Sequence, residues 1–95
     1  MKIKDLNVNQ NKINLTAELK EFNDIREFEK FGKKGRVRNA TIEDESGKIM
    51  LVLWNEQIDK INKPGIIEIK NGYVKEWQGE KQLSVGKYGE INYVE

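Results

Sequence analysis

Apolar and polar side chains alternate in five segments of this chain, and this alternation constrains the fold more than any other feature. The segments are residues 12–22, 36–43, 48–54, 66–77 and 81–86. Successive side chains of a β-strand point to opposite faces, so a period of two residues indicates a strand with one buried face. In the third segment, Ile49, Leu51 and Leu53 lie on one face and Trp54 lies on the other. We therefore predict a protein built almost entirely from strands.

The connections between these strands predict the architecture. Residues 44–47 (Asp-Glu-Ser-Gly) and 78–80 (Gln-Gly-Glu) have the composition of hairpin turns. Residues 55–62 switch to helical spacing, with Asn55 as a candidate N-cap, and a Pro-Gly pair follows. Five strands with one short helix between the third and the fourth is the order of the OB-fold. That fold is a five-stranded Greek-key barrel that binds oligonucleotides or sugars.

The segment between the first two strands has no sustained period. Residues 23–35 contain two glycines and several basic residues. We predict a long basic loop here, held against the barrel by Ile25, Phe28 and Phe31. A loop of this length in a small domain is usually functional.

Two positions predict β-bulges. Val37 and Ile42 have opposite parity in the second strand. If both are buried, an extra residue is needed near Asn39-Ala40. In the fourth strand, Asn71-Gly72 predicts a bend or bulge that changes which face the following side chains occupy.

Composition limits the classes of function. The 95 residues have room for one domain, over residues 1–95, with one modest core. The chain has no cysteine and no histidine, so we expect no enzyme activity, no cofactor and no metal site. The acidic cluster at residues 43–45 could suggest carboxylate ligands for a metal, but we interpret it as part of the hairpin turn, since no further ligands are evident. No apolar run approaches the roughly 20 residues of a membrane span, and the N-terminus lacks a signal peptide. We therefore expect no membrane partner and a cytoplasmic location.

Three aromatic residues are predicted to lie outside the core. Trp54 ends the third strand on its outer face, and Tyr73 and Trp77 share one face of the fourth strand. Small soluble domains rarely expose two tryptophans, whereas an exposed ring that stacks on a base contributes about 1–3 kcal/mol. The structural alternatives are a half-buried strand end for Trp54, packing under the last hairpin for Trp77, and filling of the barrel mouth for Tyr73.

Basic residues are concentrated in one part of a chain whose net charge is only +1. Residues 30–42 carry five lysines or arginines and no acid, a pattern to which a phosphate backbone responds. A solvated charged loop is the alternative interpretation. The candidate phosphate contacts are Arg36, Arg38, Lys48, Lys75 and Lys81, together with Lys33 and Lys34 in the loop.

The chain also resembles a known family. Residues 36–55, RVRNATIEDESGKIMLVLWN, resemble the second and third strands of archaeal single-stranded-DNA-binding proteins, with their acidic turn and a strand ending in Leu-Trp. Residues 69–79, IKNGYVKEWQG, resemble the fourth strand of the same family, which includes the OB modules of archaeal replication protein A. The resemblance implies base stacking by Trp54, Tyr73 and Trp77. Some relatives carry a further aromatic where this chain has Ser84, so it implies three stacking positions here.

These features together predict a sequence-tolerant single-stranded-DNA-binding domain that serves DNA replication, recombination and repair. The resemblance implies one module of a multi-OB replication protein A in an archaeal or other prokaryote-like cell, associated with the nucleoid. Its expected partners are single-stranded DNA and other OB modules or replication and repair proteins, with no small-molecule substrate. Two alternatives stay open. One is an OB-fold module that binds tRNA or another RNA, and the other is an OB adaptor that binds protein.

Overall fold

Strands dominate the computed structural model, which describes residues 1–94. The elements in chain order are a 3₁₀ helix Ile3–Asp5, β1 Ile13–Phe22, β2 Arg26–Lys30, β3 Lys33–Asp44, β4 Gly47–Trp54, α1 Glu56–Lys60, β5 Gly65–Trp77 and β6 Glu80–Tyr93. The short helix α1 lies between β4 and β5, as the sequence predicts. Within residues 1–94, neither helix has the length and apolar character needed to cross a bilayer.

Strand β1 closes the sheet into a barrel because it pairs on both of its edges. It is antiparallel to β5 on one edge and to β3 on the other. Around the sheet the order is β1, β5, β6, β4, β3, and β6 pairs with β4 in parallel. Five strands therefore form the closed barrel, while β2 pairs with β3 alone and extends beyond it. The predicted five-stranded OB-fold with one short helix is confirmed.

Alternate side chains of the barrel strands fill its interior. In β1, Leu15, Ala17 and Leu19 are buried, while the polar residues between them are exposed. The 3₁₀ helix and the residue after it cover one end of the barrel with Ile3 and Leu6. Each fully buried leucine or isoleucine contributes about 1.5–3 kcal/mol relative to an exposed one, so this continuous core is the main stabilising term.

Residues 26–35 form a hairpin, so the prediction of a long loop here was wrong. Strand β2 pairs in register with the start of β3, from Arg26 opposite Val37 to Lys30 opposite Lys33. The two residues between them, Phe31 and Gly32, both have positive φ, as a tight type I′ turn requires. Both faces of β2 are exposed, so its sequence lacks the apolar alternation that marks a barrel strand.

Of the three apolar residues predicted to hold this segment against the barrel, Phe28 does contact a barrel strand, because its ring meets Trp54 at the end of β4. Ile25, Phe28 and Phe31 are nevertheless all exposed large hydrophobic side chains. The continuous ladder with β3 also holds the hairpin in position.

Of the two predicted bulges, only the one at Asn71 is present. The β3–β4 ladder runs without a shift from Val37 to Asp44, because Val37 is a half-buried outer residue opposite Trp54 and not a core residue. In β5 the register shifts between Lys70 and Gly72, and Asn71 has a left-handed φ of 57°.

The predicted β3–β4 turn is confirmed, and it is organised by one carboxylate. Asp44 Oδ1 accepts hydrogen bonds from the backbone N–H of Ser46 (2.7 Å) and of Gly47 (3.2 Å), and also from the Ser46 hydroxyl. Asp44 Oδ2 accepts one from the Ile3 N–H at 2.8 Å. Burial alone would raise the pKa of Asp44, but these hydrogen bonds outweigh it and hold the pKa below its ordinary value. The carboxylate thus joins the turn to the 3₁₀ helix.

We expect Asp44→Ala to lower the free energy of unfolding at neutral pH by about 1–2 kcal/mol, because several backbone donors lose their acceptor. A depressed pKa stabilises the fold above the unfolded-state pKa, about 3.9, and this contribution is lost as the pH falls through the folded-state value. Urea unfolding at several pH values should therefore show the difference between parent and variant shrinking below about pH 4. Glu45→Ala is the matched control, since its ion pair with Lys2 is exposed. It should change stability by less than about 1 kcal/mol, and an equal effect of both variants would contradict the role of Asp44.

Candidate nucleic-acid interface

Strands β3, β4, β6 and β5 lie side by side and present one continuous outer face. Cross-strand pairing aligns Asn39 with Val52, Val52 with Ser84, and Ser84 with Tyr73. Paired residues of neighbouring strands point to the same face, so these four side chains form one row across the sheet. We call this surface the platform face.

Trp54 lies on the platform face where β4 ends, opposite Val37. Its side chain is 40% exposed. The ring of Phe28 meets the Trp54 ring edge to face, with centroids 5.9 Å apart and planes at 83°. The backbone N–H of Trp54 donates to Gln57 Oε1 at 3.0 Å, and the side-chain amide of Gln57 donates to the Val85 carbonyl at 2.8 Å. The strand end that carries Trp54 is therefore tied to both α1 and β6.

A groove of about 450 Å³ brings Trp54 and Trp77 together on the platform face. Trp77 ends β5, beside the last hairpin, and is 64% exposed. The residues that line the groove are Arg26, Phe28, Lys30, Val37, Asn39, Val52, Trp54, Trp77 and Gln82. Two exposed indoles, an apolar floor and two cations thus share one concave surface. This is the composition expected of a site that stacks bases.

Tyr73 is half-buried on the same face and covers the backbone of β6. A Cβ at Gly86 would lie 3.3 Å from a ring carbon of Tyr73, so the ring rests against this glycine. Ser84, the cross-strand partner of Tyr73, is on the platform face, yet it is only 7% exposed. Ser84 is short, so the larger side chains around it on the platform face shield it from solvent.

Two of the predicted cations share the platform face with the aromatics. Lys48 lies on the same face of β4 as Trp54, with Glu43 as its cross-strand partner. Lys75 lies between Tyr73 and Trp77 on β5, opposite Gln82, and its Nζ is 5.6 Å from the centre of the Tyr73 ring. Since no carboxylate faces Lys75 across the ladder, it is the better placed of the two for a phosphate.

The β2–β3 hairpin adds three cations to this face. Arg26 pairs with Val37 and Lys30 pairs with Lys33, so all three cations point to the platform side of the hairpin. Lys33 was a candidate from the sequence, whereas Arg26 and Lys30 were not.

Arg36 lies on the opposite face, where it holds α1. Its guanidinium binds the Asp59 carboxylate through two hydrogen bonds, at 2.8 and 3.2 Å. The backbone N–H of Arg36 also donates a hydrogen bond to Asn55 Oδ1 at 3.0 Å, which ties β3 to the start of α1. The hydrogen bonds from Arg36 hold the pKa of Asp59 below its ordinary value. Asn55 is at the predicted N-cap position, but its side chain serves β3 and not the helix.

The other three predicted cations also lie away from the platform face. Arg38 donates from Nε to the Asn23 carbonyl at 2.7 Å, and its guanidinium lies 4.5 Å from the centre of the Phe22 ring. Lys34 is on the back of the hairpin, opposite Glu29. Lys81 donates to the Leu6 carbonyl at 2.8 Å and so joins β6 to the end of the 3₁₀ helix.

The sequence prediction missed part of the groove. Phe28 was interpreted as an anchor of a loop, yet its ring covers Gly35 and braces Trp54. The signal was available, because Arg26, Phe28 and Lys30 alternate with Glu27 and Glu29. Val52 and Gln82 also line the groove, where they complete its floor.

Asn39 contributes an unsatisfied polar atom beside this floor. Its Oδ1 is buried and has no hydrogen-bond partner among residues 1–94. An unpaired buried acceptor costs about 1–3 kcal/mol, so a donor that reaches it would be favoured. Asn39 and Gln82 bring two amide side chains to the lining of the groove.

Comparison with known proteins identifies the family of the chain. A family model described as "Single-stranded DNA binding protein Ssb-like, OB fold" matches residues 4–93. The chain is 24% identical over 90 residues to the single-stranded DNA binding protein Ssb of Saccharolobus solfataricus, covering 95% of this chain and 61% of that protein. It is 30% identical over 76 residues to replication factor A of Methanothermobacter thermautotrophicus, covering 79% of this chain and 10% of that protein.

A solved structure is similar over the whole chain. The second OB-fold domain of replication protein A from Methanococcus maripaludis superposes with a TM-score of 0.81 at 31% identity, covering 100% of this chain and 94% of that domain. Because the family model spans nearly all of the sequence, the chain belongs to the Ssb-like family of single-stranded DNA binding proteins with the OB fold.

Proposed function

We propose that this chain binds single-stranded DNA with little sequence preference. Trp54, Trp77 and Tyr73 stack on successive bases, and the cations of the platform face contact the phosphates. The observation that carries the proposal is the groove in which two exposed indoles from different strands meet beside Arg26 and Lys30. A base can stack on these rings only when its face is not already covered by a neighbouring base. Single strands, whose bases unstack more easily, are therefore favoured over duplexes. Binding of this kind involves no catalytic step and no cofactor.

The cellular role we propose is in DNA replication, recombination and repair, in the cytoplasm and at the nucleoid. The similarity to the single-stranded DNA binding protein Ssb of Saccharolobus solfataricus supports binding to single-stranded DNA. The match to 10% of a much longer replication factor A supports a role as one module among several OB domains. Linked modules raise the effective concentration of each other, so a modest affinity of one domain would suffice. Other OB modules and replication or repair proteins are the proposed partners.

We expect Trp54→Ala and Trp77→Ala each to weaken binding of a fluorescently labelled oligo-dT by about fivefold to a hundredfold, measured by anisotropy at low salt. Each variant removes one stacked ring, which contributes about 1–3 kcal/mol. Trp54→Phe should retain most of the affinity because a smaller ring remains. Ile66→Ala is the matched control, since Ile66 is an exposed apolar residue elsewhere on the barrel. Unchanged affinity in both alanine variants would refute the stacking mechanism.

The same assay separates the ligand classes. Oligo-dT should bind more tightly than duplex DNA and at least as tightly as oligo-rU. A preference for folded tRNA over oligo-dT would identify an RNA-binding module instead. No binding to any nucleic acid would point to a protein-binding adaptor.

Salt titration tests which cations contact the phosphates. Each contact to a single strand contributes about 0.7 to the slope of log affinity against log salt. We expect Lys75→Ala to reduce the slope by about this amount, and Lys48→Ala by less because Glu43 faces Lys48. Arg38→Ala should leave the slope unchanged, since Arg38 lies on the other face. A larger effect from Arg38→Ala than from Lys75→Ala would show that the strand follows another path.

A further inference from the structure

Strand β6 carries an outward bulge that the proposed stacking site does not use. Gly72 pairs with Val85 and Lys70 pairs with Glu90, so the four residues Gly86–Gly89 stand opposite Asn71 alone. The surplus residues cannot all remain in the ladder with β5, so this part of β6 projects from it. We call residues 86–89 the β6 bulge.

Two glycines fix the position of the β6 bulge. A Cβ at Gly89 would lie 2.6 Å from a methyl carbon of Val85 and 2.9 Å from the carbonyl oxygens of Lys70 and Asn71. Only a residue without a side chain fits at this close approach. Gly86 is held in the same way beneath the Tyr73 ring. The bulge is therefore packed tightly against β5 at both of its ends.

The residues between these glycines present an aromatic ring to solvent. Tyr88 is 84% exposed, so its ring contributes little to the core. The Nζ of Lys87 lies 5.7 Å from the centre of the Tyr88 ring. An exposed ring beside a cation combines a stacking surface with a phosphate contact, which is the pairing found at Tyr73 and Lys75.

The β6 bulge is continuous with the platform face. Gly86 lies under Tyr73, and Tyr88 follows two residues later in the chain. Two residues of chain span at most about 7 Å. Tyr88 is therefore a near neighbour of the residue that lies beneath Tyr73.

We propose that Tyr88 is a fourth stacking position, with Lys87 as its phosphate contact, and that it lengthens the bound stretch of single-stranded DNA past Tyr73. This inference rests on the proposed function. It replaces the three stacking positions that the sequence implies with four, the additional one lying on the β6 bulge and not at Ser84.

The test compares parent and Tyr88→Ala with oligo-dT of increasing length, from about 4 to about 12 nucleotides. Quenching of Trp54 and Trp77 reports binding in both proteins, because the substitution leaves both indoles in place. We expect equal affinities for the shortest oligomers and an affinity at least about fivefold lower in the variant for the longest. Tyr88→Phe should bind every length as the parent does, and Ile66→Ala controls for the loss of an exposed apolar side chain.

The outcomes distinguish this inference from the proposed function. If the parent quenches on binding but Tyr88→Ala matches it at every length, the fourth position is refuted and stacking at the groove stands. An equal loss at all lengths would also refute the extension, since a position past Tyr73 cannot affect an oligomer that does not reach it. If the parent itself shows no binding to oligo-dT, the proposed function fails, and this inference fails with it.

Discussion

Closure of the barrel by β1 is the constraint on which the rest of the structure depends. Because β1 pairs with both β5 and β3, the two ends of the sheet are joined and the interior is sealed. The inner face is filled by aliphatic side chains, so function can occupy only the outer face and the hairpins. The same closure curves β3, β4, β6 and β5 into a continuous surface. Trp54 and Trp77 can meet in one groove on this surface although they belong to strands that do not pair with each other.

The bulge at Asn71 determines which face of β5 carries Tyr73 and Trp77. Ile67 and Ile69 point inward before the bulge at Asn71, and Val74 points inward after it. Without the extra residue, Tyr73 would point into the core. The left-handed φ of Asn71 is therefore a condition for the platform face. The β5–β6 register shifts at the same point, where the β6 bulge that displays Tyr88 lies opposite Asn71.

The alternation of side chains along β2 and β3 also determines which face each cation occupies. The basic residues of β2 and β3 form one stripe in the sequence, but successive residues of a strand point in opposite directions. Lys33 therefore lies on the platform side, whereas Arg36 and Arg38 lie behind it and hold α1 and the β1–β2 connection. A basic run along a strand thus provides cations for two purposes. Lys30 and Lys33 point to the platform face, whereas Arg36 and Arg38 stabilise the fold.

The sequence by itself determined the barrel, its five strands, the short helix, the hairpin turns, the Asn71 bulge and the outward positions of Trp54, Tyr73 and Trp77. These features follow from local periodicity and turn composition, which can be recognised from residues that are adjacent in the sequence. Only the tertiary structure decided the β2–β3 hairpin, the outer position of Val37, the contact between Phe28 and Trp54, and the partners of Arg36, Arg38 and Lys81. A strand exposed on both faces has no apolar period, and the face of a cation depends on the strand register. Both are set by backbone pairing between strands, and an alternation of charged residues such as that in residues 26–30 does not by itself show which partner or which face a strand has.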